Sequence, residues 1–310
     1  MGGGGGSSYT GWQPERLKDI LREKSEQSAV EFEGELAGYL AGLLAEFNSR
    51  DTDLINERLE TAKAALEDRL EGSFDQLFGG SVAKHTYVDG LSDIDSLLII
   101  NGSDLAEGSP RQALRKIEKI LSEKLGNDVT ATHGRMAVTL EYADGMQIQL
   151  LPAIHSETGL RIPSSRRDAW SKVNPDVFRS DLTQTNAQCG GKLVPTIKLA
   201  KAIIANLPES QQLSGYHVEN LGIGIFRGYE GKKTTAAMLP VFFERAKELV
   251  LTPIRDKTGQ SVHVDGYLGE ADSPARQNAS HLLGGIAKRM RSASTAASKE
   301  QWAAIFDEEN

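Results

Sequence analysis

Asp93-Ile94-Asp95 stands at the head of the apolar run Leu97-Leu98-Ile99-Ile100, and Gly79-Gly80-Ser81 lies upstream, directly after the short run that ends at Phe78. Alternate side chains of a β-strand share a face, so this spacing predicts that Asp93 and Asp95 point the same way while Ile94 packs behind them. Two neighbouring carboxylates repel each other unless a cation sits between them, and hard Mg²⁺ or Mn²⁺ takes oxygen ligands of this kind. The Gly-Gly-Ser turn offers backbone N–H groups and a hydroxyl. The polar stretch at Lys84 and His85 predicts a short helix whose N-terminus attracts phosphate. Together they describe chemistry on a phosphate held beside a divalent cation.

Gly80-Ser81, Thr86-Tyr87, Gly90 and Ser92-Asp93-Ile94-Asp95 resemble the cGAS/DncV-like nucleotidyltransferases of bacterial anti-phage signalling, within the polymerase-β-type superfamily. The likeness extends to Gln149–Ala153 and Lys192–Leu221 and covers nearly all of the chain after its glycine tail. It implies an α+β fold: a polymerase-β-like nucleotidyltransferase lobe with a mixed sheet, a helical C-terminal lobe, and an active-site cleft between them. It also implies template-independent joining of nucleoside triphosphates, with Mg²⁺ or Mn²⁺ on Asp93 and Asp95. Gly80, Ser81, a helix lysine, Ser214 and Tyr216 would hold the nucleotide. Of the two lysines in the helix after Gly190-Gly191, Lys198 matches the family position better than Lys201. Gly215 stands where many relatives carry a second serine, which leaves Tyr216 as the expected base platform. The product implied is a cyclic or linear oligonucleotide that activates a separate effector protein.

One position departs from the pattern. Relatives carry a third metal-binding aspartate on the second strand of a hairpin, just before a Val-Pro-Ala-like sequence. Here Met146-Gln147-Ile148-Gln149-Leu150-Leu151-Pro152-Ala153 fits that frame with Gln149 in the aspartate's place. A glutamine carbonyl can touch a metal, yet it brings no charge and cannot take a proton from an attacking hydroxyl. Three explanations stand: a deliberate substitution, a nucleotide-binding sensor or regulatory subunit that has lost catalysis, or replacement by Glu141. A three-residue turn at Ala143-Asp144-Gly145 would put Thr139, Glu141, Gln147 and Gln149 on one face, with Glu141 diagonal to Gln149. A further alternative is a primer-extending linear polymerase, in which Tyr9 would be the protein primer.

These residues need a scaffold, and hydrophobic periodicity outlines it. Residues 1–13 read as a flexible Gly/Ser tail, 14–160 as the nucleotidyltransferase core with its N-terminal helices, and 161–310 as the helical lobe. Leu17 to Phe47 recur at helical spacing, with a break expected near Ser25 to Ser28. Ile55, Leu59, Ala62, Leu66 and Leu70 mark a second helix. Phe74–Phe78 and Asp93–Ile100 read as strands, Ser109-Pro110 as a capped helix start, and Val138–Tyr142 with Met146–Leu151 as a hairpin. Ser164–Asp168, before Trp170, reads as a crossing between lobes.

In bulk the chain is acidic, with 43 Asp and Glu against 35 Lys and Arg and a formal net charge of −8. That field repels polyanions, so strong non-specific nucleic-acid binding is not expected. The segment Arg161–Arg167 with Lys172 is the local basic exception. The single cysteine, Cys189, excludes an internal disulfide and has no zinc-ligand companions. No run is long and apolar enough to span a membrane, and the reading is a cytoplasmic protein.

Overall fold

The computed structural model describes residues 14–48, 52–70, 73–78, 94–101, 105, 107–156, 159–164, 168–257 and 263–307. The glycine-serine tail with Tyr9, and with it Gly80, Ser81 and Asp93, lie outside the described residues.

Seven strands form one sheet: β1 (Ser73–Phe78), β2 (Ile94–Asn101), β3 (Val129–His133), β4 (Val138–Tyr142), β5 (Gln147–Ser156), β6 (Gly159–Pro163) and β7 (Trp170–Val173). Their order is β1-β2-β5-β4-β3, with β6 continuing from β5 and β7 from β6. The β2–β5 pair is parallel and its neighbours are antiparallel, so the sheet is mixed, as expected. A parallel pair needs a crossover. Helix α3 (Pro110–Lys124) opens it, started by Ser109, whose hydroxyl accepts from the Gln112 N–H while the Gln112 side chain returns to the Ser109 N–H. Ala113, Leu114, Ile117, Ile120 and Leu121 are its buried stripe. That stripe and α2 (Thr52–Glu67) cover the sheet face carrying Leu98, Ile100, Ile148 and Leu150. The other face carries a smaller apolar group of Ile99, Ala153, Leu160, Ile162 and Val173.

The sheet runs past the division read at residues 160 and 161. β6 and β7 pair as a hairpin from Leu160↔Val173 to Pro163↔Trp170, so the strands on either side of the expected crossing both belong to the sheet.

Helices α4 (Pro175–Gln188), α5 (Leu193–Ala205), α6 (Gly215–Phe226), α7 (Thr235–Leu249), α8 (Pro274–Thr295) and α9 (Lys299–Ala303) make the second lobe. Its core includes Leu199, Ile203, Phe226, Phe242, Met290 and the terminal plug Trp302, Ile305 and Phe306. Leu36 and Leu40 of α1 (Pro14–Glu46) join this core, whereas Leu59 and Leu66 of α2 join the core under the sheet. The two N-terminal helices therefore serve different lobes. Helix α1 is also continuous across Ser25–Ser28, contrary to the expected break. No Gly or Pro interrupts that stretch, and Arg22–Glu26 (2.8 Å) and Gln27–Glu31 (3.1 Å) bridge it at helical i,i+4 spacing.

Helices α5 and α6 approach closely because Gly222 has no side chain. A Cβ there would lie 2.8 Å from both Cδ1 and Cγ1 of Ile197. Gly222→Ala is expected to destabilise the chain by about 1–3 kcal/mol, the usual cost of overpacking. Gly224→Ala, where a Cβ meets nothing within 4 Å, is expected to leave stability unchanged or raise it by about 0.5–1 kcal/mol. Denaturant midpoints of the two variants check this, and equal midpoints would refute it.

Candidate active site

The register of the sheet gathers the predicted acidic corner. Asp95 on β2 is directly opposite Gln149 on β5, and Gln149 is directly opposite Thr139 on β4. Strand β1 ends at Phe78, paired with Ser96, so the strand ends flanking residues 79–93 meet beside Asp95. Gln149 is half-buried at this corner. Glu141 pairs with Gln147 and is thus diagonal to Gln149, as the three-residue turn predicts; its side chain is exposed. Gly145 supplies the turn with a φ of 87°, and Arg58 of α2 clamps it through two bonds to Asp144, 2.6 and 3.0 Å. The guanidinium also lies 4.0 Å from the centroid of the Tyr142 ring. The clamp holds the Asp144 carboxyl below its usual range. A hairpin pinned at its tip gives Gln149 a defined position.

Strand alternation decides the place of the basic segment. Leu160 and Ile162 share the face of Ala153, so Arg161, opposite Ile154, and Lys172, opposite Arg161, lie on the other side of the sheet from Gln149. Arg166 and Arg167 lie outside the described residues.

The helical lobe presents the remaining residues. Helix α6 is capped by Ser214, whose hydroxyl accepts from the His217 N–H. Ser214 and Lys201 of α5 line one cavity of about 350 Å³ with Gln212, Gly215 and Tyr267. Lys201 donates to the buried Glu219 carboxylate at 2.7 Å. A Cβ at 215 would lie 3.4 Å from Lys201 Nζ, so a side chain there would touch the lysine. Lys198, the expected position, is elsewhere: it donates to Asn48 at the end of α1. The residues brought together are therefore Ser214 and Lys201. Tyr216 is half-buried, its hydroxyl donating to Asp256 at 3.0 Å and its ring tilted against Phe178 with centroids 5.0 Å apart.

Sequence reasoning did not single out Tyr267 or the residues behind it. The Tyr267 hydroxyl accepts from the Ser214 N–H at 3.0 Å and lies 2.9 Å from His217 Nδ1. A phenol has one proton. The Asp265 carboxylate facing Nε2 favours the neutral His217 tautomer protonated there, and in that tautomer the phenol proton goes to Nδ1. Nε2 faces Asp265 at 3.6 Å, and Asp265 is bound by Arg276 at 2.7 Å. The side chains of His217, Asp265 and Arg276 are all 0% exposed. Burial opposes ionisation of Asp265, yet the Arg276 hydrogen bond and the Ile254 amide hold its carboxyl below the usual range.

Residues 42–186 match the family model described as Second Messenger Oligonucleotide or Dinucleotide Synthetase domain. That match agrees with the cGAS/DncV-like likeness read from the sequence. Solved structures of the same fold agree. CdnG of Bradyrhizobium diazoefficiens in complex with GTP is 18% identical, with a TM-score of 0.65 over 87% of this chain and 95% of that one. The STING-associated CdnE c-di-GMP synthase of Capnocytophaga granulosa is 19% identical, with a TM-score of 0.59 over 78% and 80%. Apo DncV of Vibrio cholerae is 11% identical, with a TM-score of 0.61 over 94% and 88%. No curated protein sequence matches. The α+β reading therefore holds, with a polymerase-β-like lobe and a helical lobe. Among the described residues no helix is long and apolar enough to cross a membrane.

The buried histidine sets an acid limit on stability. Burial pushes His217 from 6.5 down to about 4, Asp265 partly offsetting the shift and Arg276 adding to it. The unfolded chain binds a proton near pH 6.5 that the folded chain refuses, so stability is full above that value and falls as pH drops toward 4. The loss attributable to this group is on the order of 3 kcal/mol. His217→Gln is expected to flatten the fall in melting temperature between pH 7 and pH 4. An unchanged slope in that variant would remove His217 as the cause.

Proposed function

We propose that this chain joins nucleoside triphosphates, without a template, into a cyclic or linear oligonucleotide second messenger that acts on a separate effector protein in anti-phage defence. The observation that carries the reading is the register of Asp95 beside Gln149 at the strand ends that flank Gly80, Ser81 and Asp93. Asp93, Asp95 and the Gln149 carbonyl would supply only oxygen donors, which suits Mg²⁺ or Mn²⁺ with one negative charge fewer than three carboxylates would give. Such ions, when bound, polarise the attacking hydroxyl and stabilise charge on the α-phosphate. In the reaction a ribose oxygen bonds to the α-phosphorus, the bond to pyrophosphate breaks, and the hydroxyl proton passes to Asp93, Asp95 or water, since Gln149 cannot take it. Gly80 and Ser81 hold phosphate on the sheet side. Ser214 and Lys201 do so on the helical side, Lys201 replacing Lys198 because it shares the cavity with Ser214. Lysine charge there balances the charge that builds on departing pyrophosphate. Tyr216 supports the base.

The test is incubation with the four ribonucleoside triphosphates and Mg²⁺ or Mn²⁺, followed by pyrophosphate release and product masses. Rings support a cyclase, and ladders support a linear polymerase. The neutral Gln149 amide favours a second reading, a nucleotide-binding sensor or regulatory subunit. Triphosphate binding without pyrophosphate release would establish it.

A further inference from the structure

We propose that Tyr267 is a positioning residue for the phosphate end of a bound nucleoside triphosphate, its hydroxyl fixing Ser214 beside Lys201 on the wall of one cavity. The inference rests on the reading that Ser214 and Lys201 hold phosphate. Ser214 is the residue before α6, where the backbone leaves helical geometry (φ −59°, ψ 146°). Its own N–H lies outside the helix ladder, and an unanchored terminal residue frays. The Tyr267 hydroxyl takes that N–H at 3.0 Å. The Ser214 hydroxyl accepts from the His217 N–H at 3.3 Å and also hydrogen-bonds Tyr267, so both the main chain and the side chain of Ser214 are held by that phenol.

The anchor is rigid because of what stands behind it. The Tyr267 proton goes to His217, whose other nitrogen faces Asp265, which Arg276 holds together with the carbonyls of Val250, Gly269 and Glu270. A chain of buried polar groups running from α8 to one hydroxyl at the cavity wall exceeds what is needed to fix a surface loop. Tyr267 as a residue is 53% exposed and lines the same cavity as Lys201. Glu219, 1% exposed, fixes Lys201 at 2.7 Å. A serine and a cation, each held in place by a side-chain partner, suit a polyanion whose oxygens must be met at set positions.

Tyr267→Phe keeps the ring and removes the anchor. Calorimetry measures ATP, GTP, inorganic tripolyphosphate, adenosine and guanosine on the parent chain and the variant, with melting curves for both. The expected result is an affinity for ATP or GTP and for tripolyphosphate about tenfold weaker in the variant, with the nucleosides unaffected. Tenfold corresponds to about 1.4 kcal/mol, the scale of one misaligned hydrogen bond. If triphosphate and tripolyphosphate bind both proteins equally, Tyr267 has no positioning role, while the nucleotidyltransferase reading stands. A parallel loss of triphosphate and nucleoside shows a structural role and also overturns the proposal. If the parent chain binds neither triphosphate nor tripolyphosphate, the underlying phosphate assignment fails and this inference with it.

Discussion

Gln149→Asp is expected to raise Mg²⁺-dependent pyrophosphate release by on the order of 100-fold over the parent chain, the scale on which metal-site ligation changes act. The reason is local: Gln149 stands opposite Asp95 on the neighbouring parallel strand, so a carboxylate there adds charge and a proton acceptor at the corner where Asp95 already lies. The hairpin that carries it is clamped at its turn by Arg58 and Asp144, away from position 149, so the substitution leaves the scaffold alone. Melting should therefore move by less than about 1 kcal/mol. Gln149→Glu restores charge with a side chain one methylene longer than aspartate and should recover less. Glu141→Gln separates the remaining explanation: a drop in the parent's turnover identifies Glu141, diagonal to Gln149, as the replacement carboxylate. Should Gln149→Asp bind triphosphate and release no more pyrophosphate than the parent, charge at this corner does not limit the reaction, and the non-catalytic reading gains.

The difference between what sequence foretold and what it left out follows the range of the interactions. The Asp95–Gln149 juxtaposition was implied by the family likeness, whereas the pairing Glu141↔Gln147 was legible from strand alternation and an Asp-Gly turn, which are local rules. The α3 start at Ser109-Pro110 was legible for the same reason. The different surroundings of Lys198 and Lys201 were not. Both sit on one helix three residues apart, and only the packing of α5 against α6 and α1 sends one to Glu219 and the other to Asn48. Likewise α1 carries the same apolar spacing as α2, and nothing local says that Leu36 and Leu40 pack on the far lobe. Tyr267, His217, Asp265 and Arg276 are scattered singles in the chain. A buried ion pair has no periodicity, although an arginine at the third position of a helix opening Ser273-Pro274-Ala275-Arg276, after the motif Val264-Asp265-Gly266-Tyr267, is a pattern that could have prompted the question.

Arg276→Met is expected to destabilise the helical lobe by about 3–5 kcal/mol, the largest stability effect foreseen here. The guanidinium makes bonds to the Asp265 carboxylate (2.7 Å), the Val250 carbonyl (2.8 Å) and the Gly269 and Glu270 carbonyls (both 3.1 Å). Removing it strands the Asp265 carboxylate, 0% exposed, with only the Ile254 amide and a neutral histidine nearby. Methionine fills much of the volume, so the cost is electrostatic and hydrogen-bonding rather than a cavity. Arg276→Lys should rescue little, because one ammonium cannot reach the carboxylate and three carbonyls in a planar fork. Combining Arg276→Met with Asp265→Asn should cost less than the sum of the single changes, since the second change removes the stranded charge. Denaturant unfolding of the four proteins gives this cycle. Additive losses, or an Arg276→Met loss under about 1 kcal/mol, would show that the pair does not anchor the loop to α8.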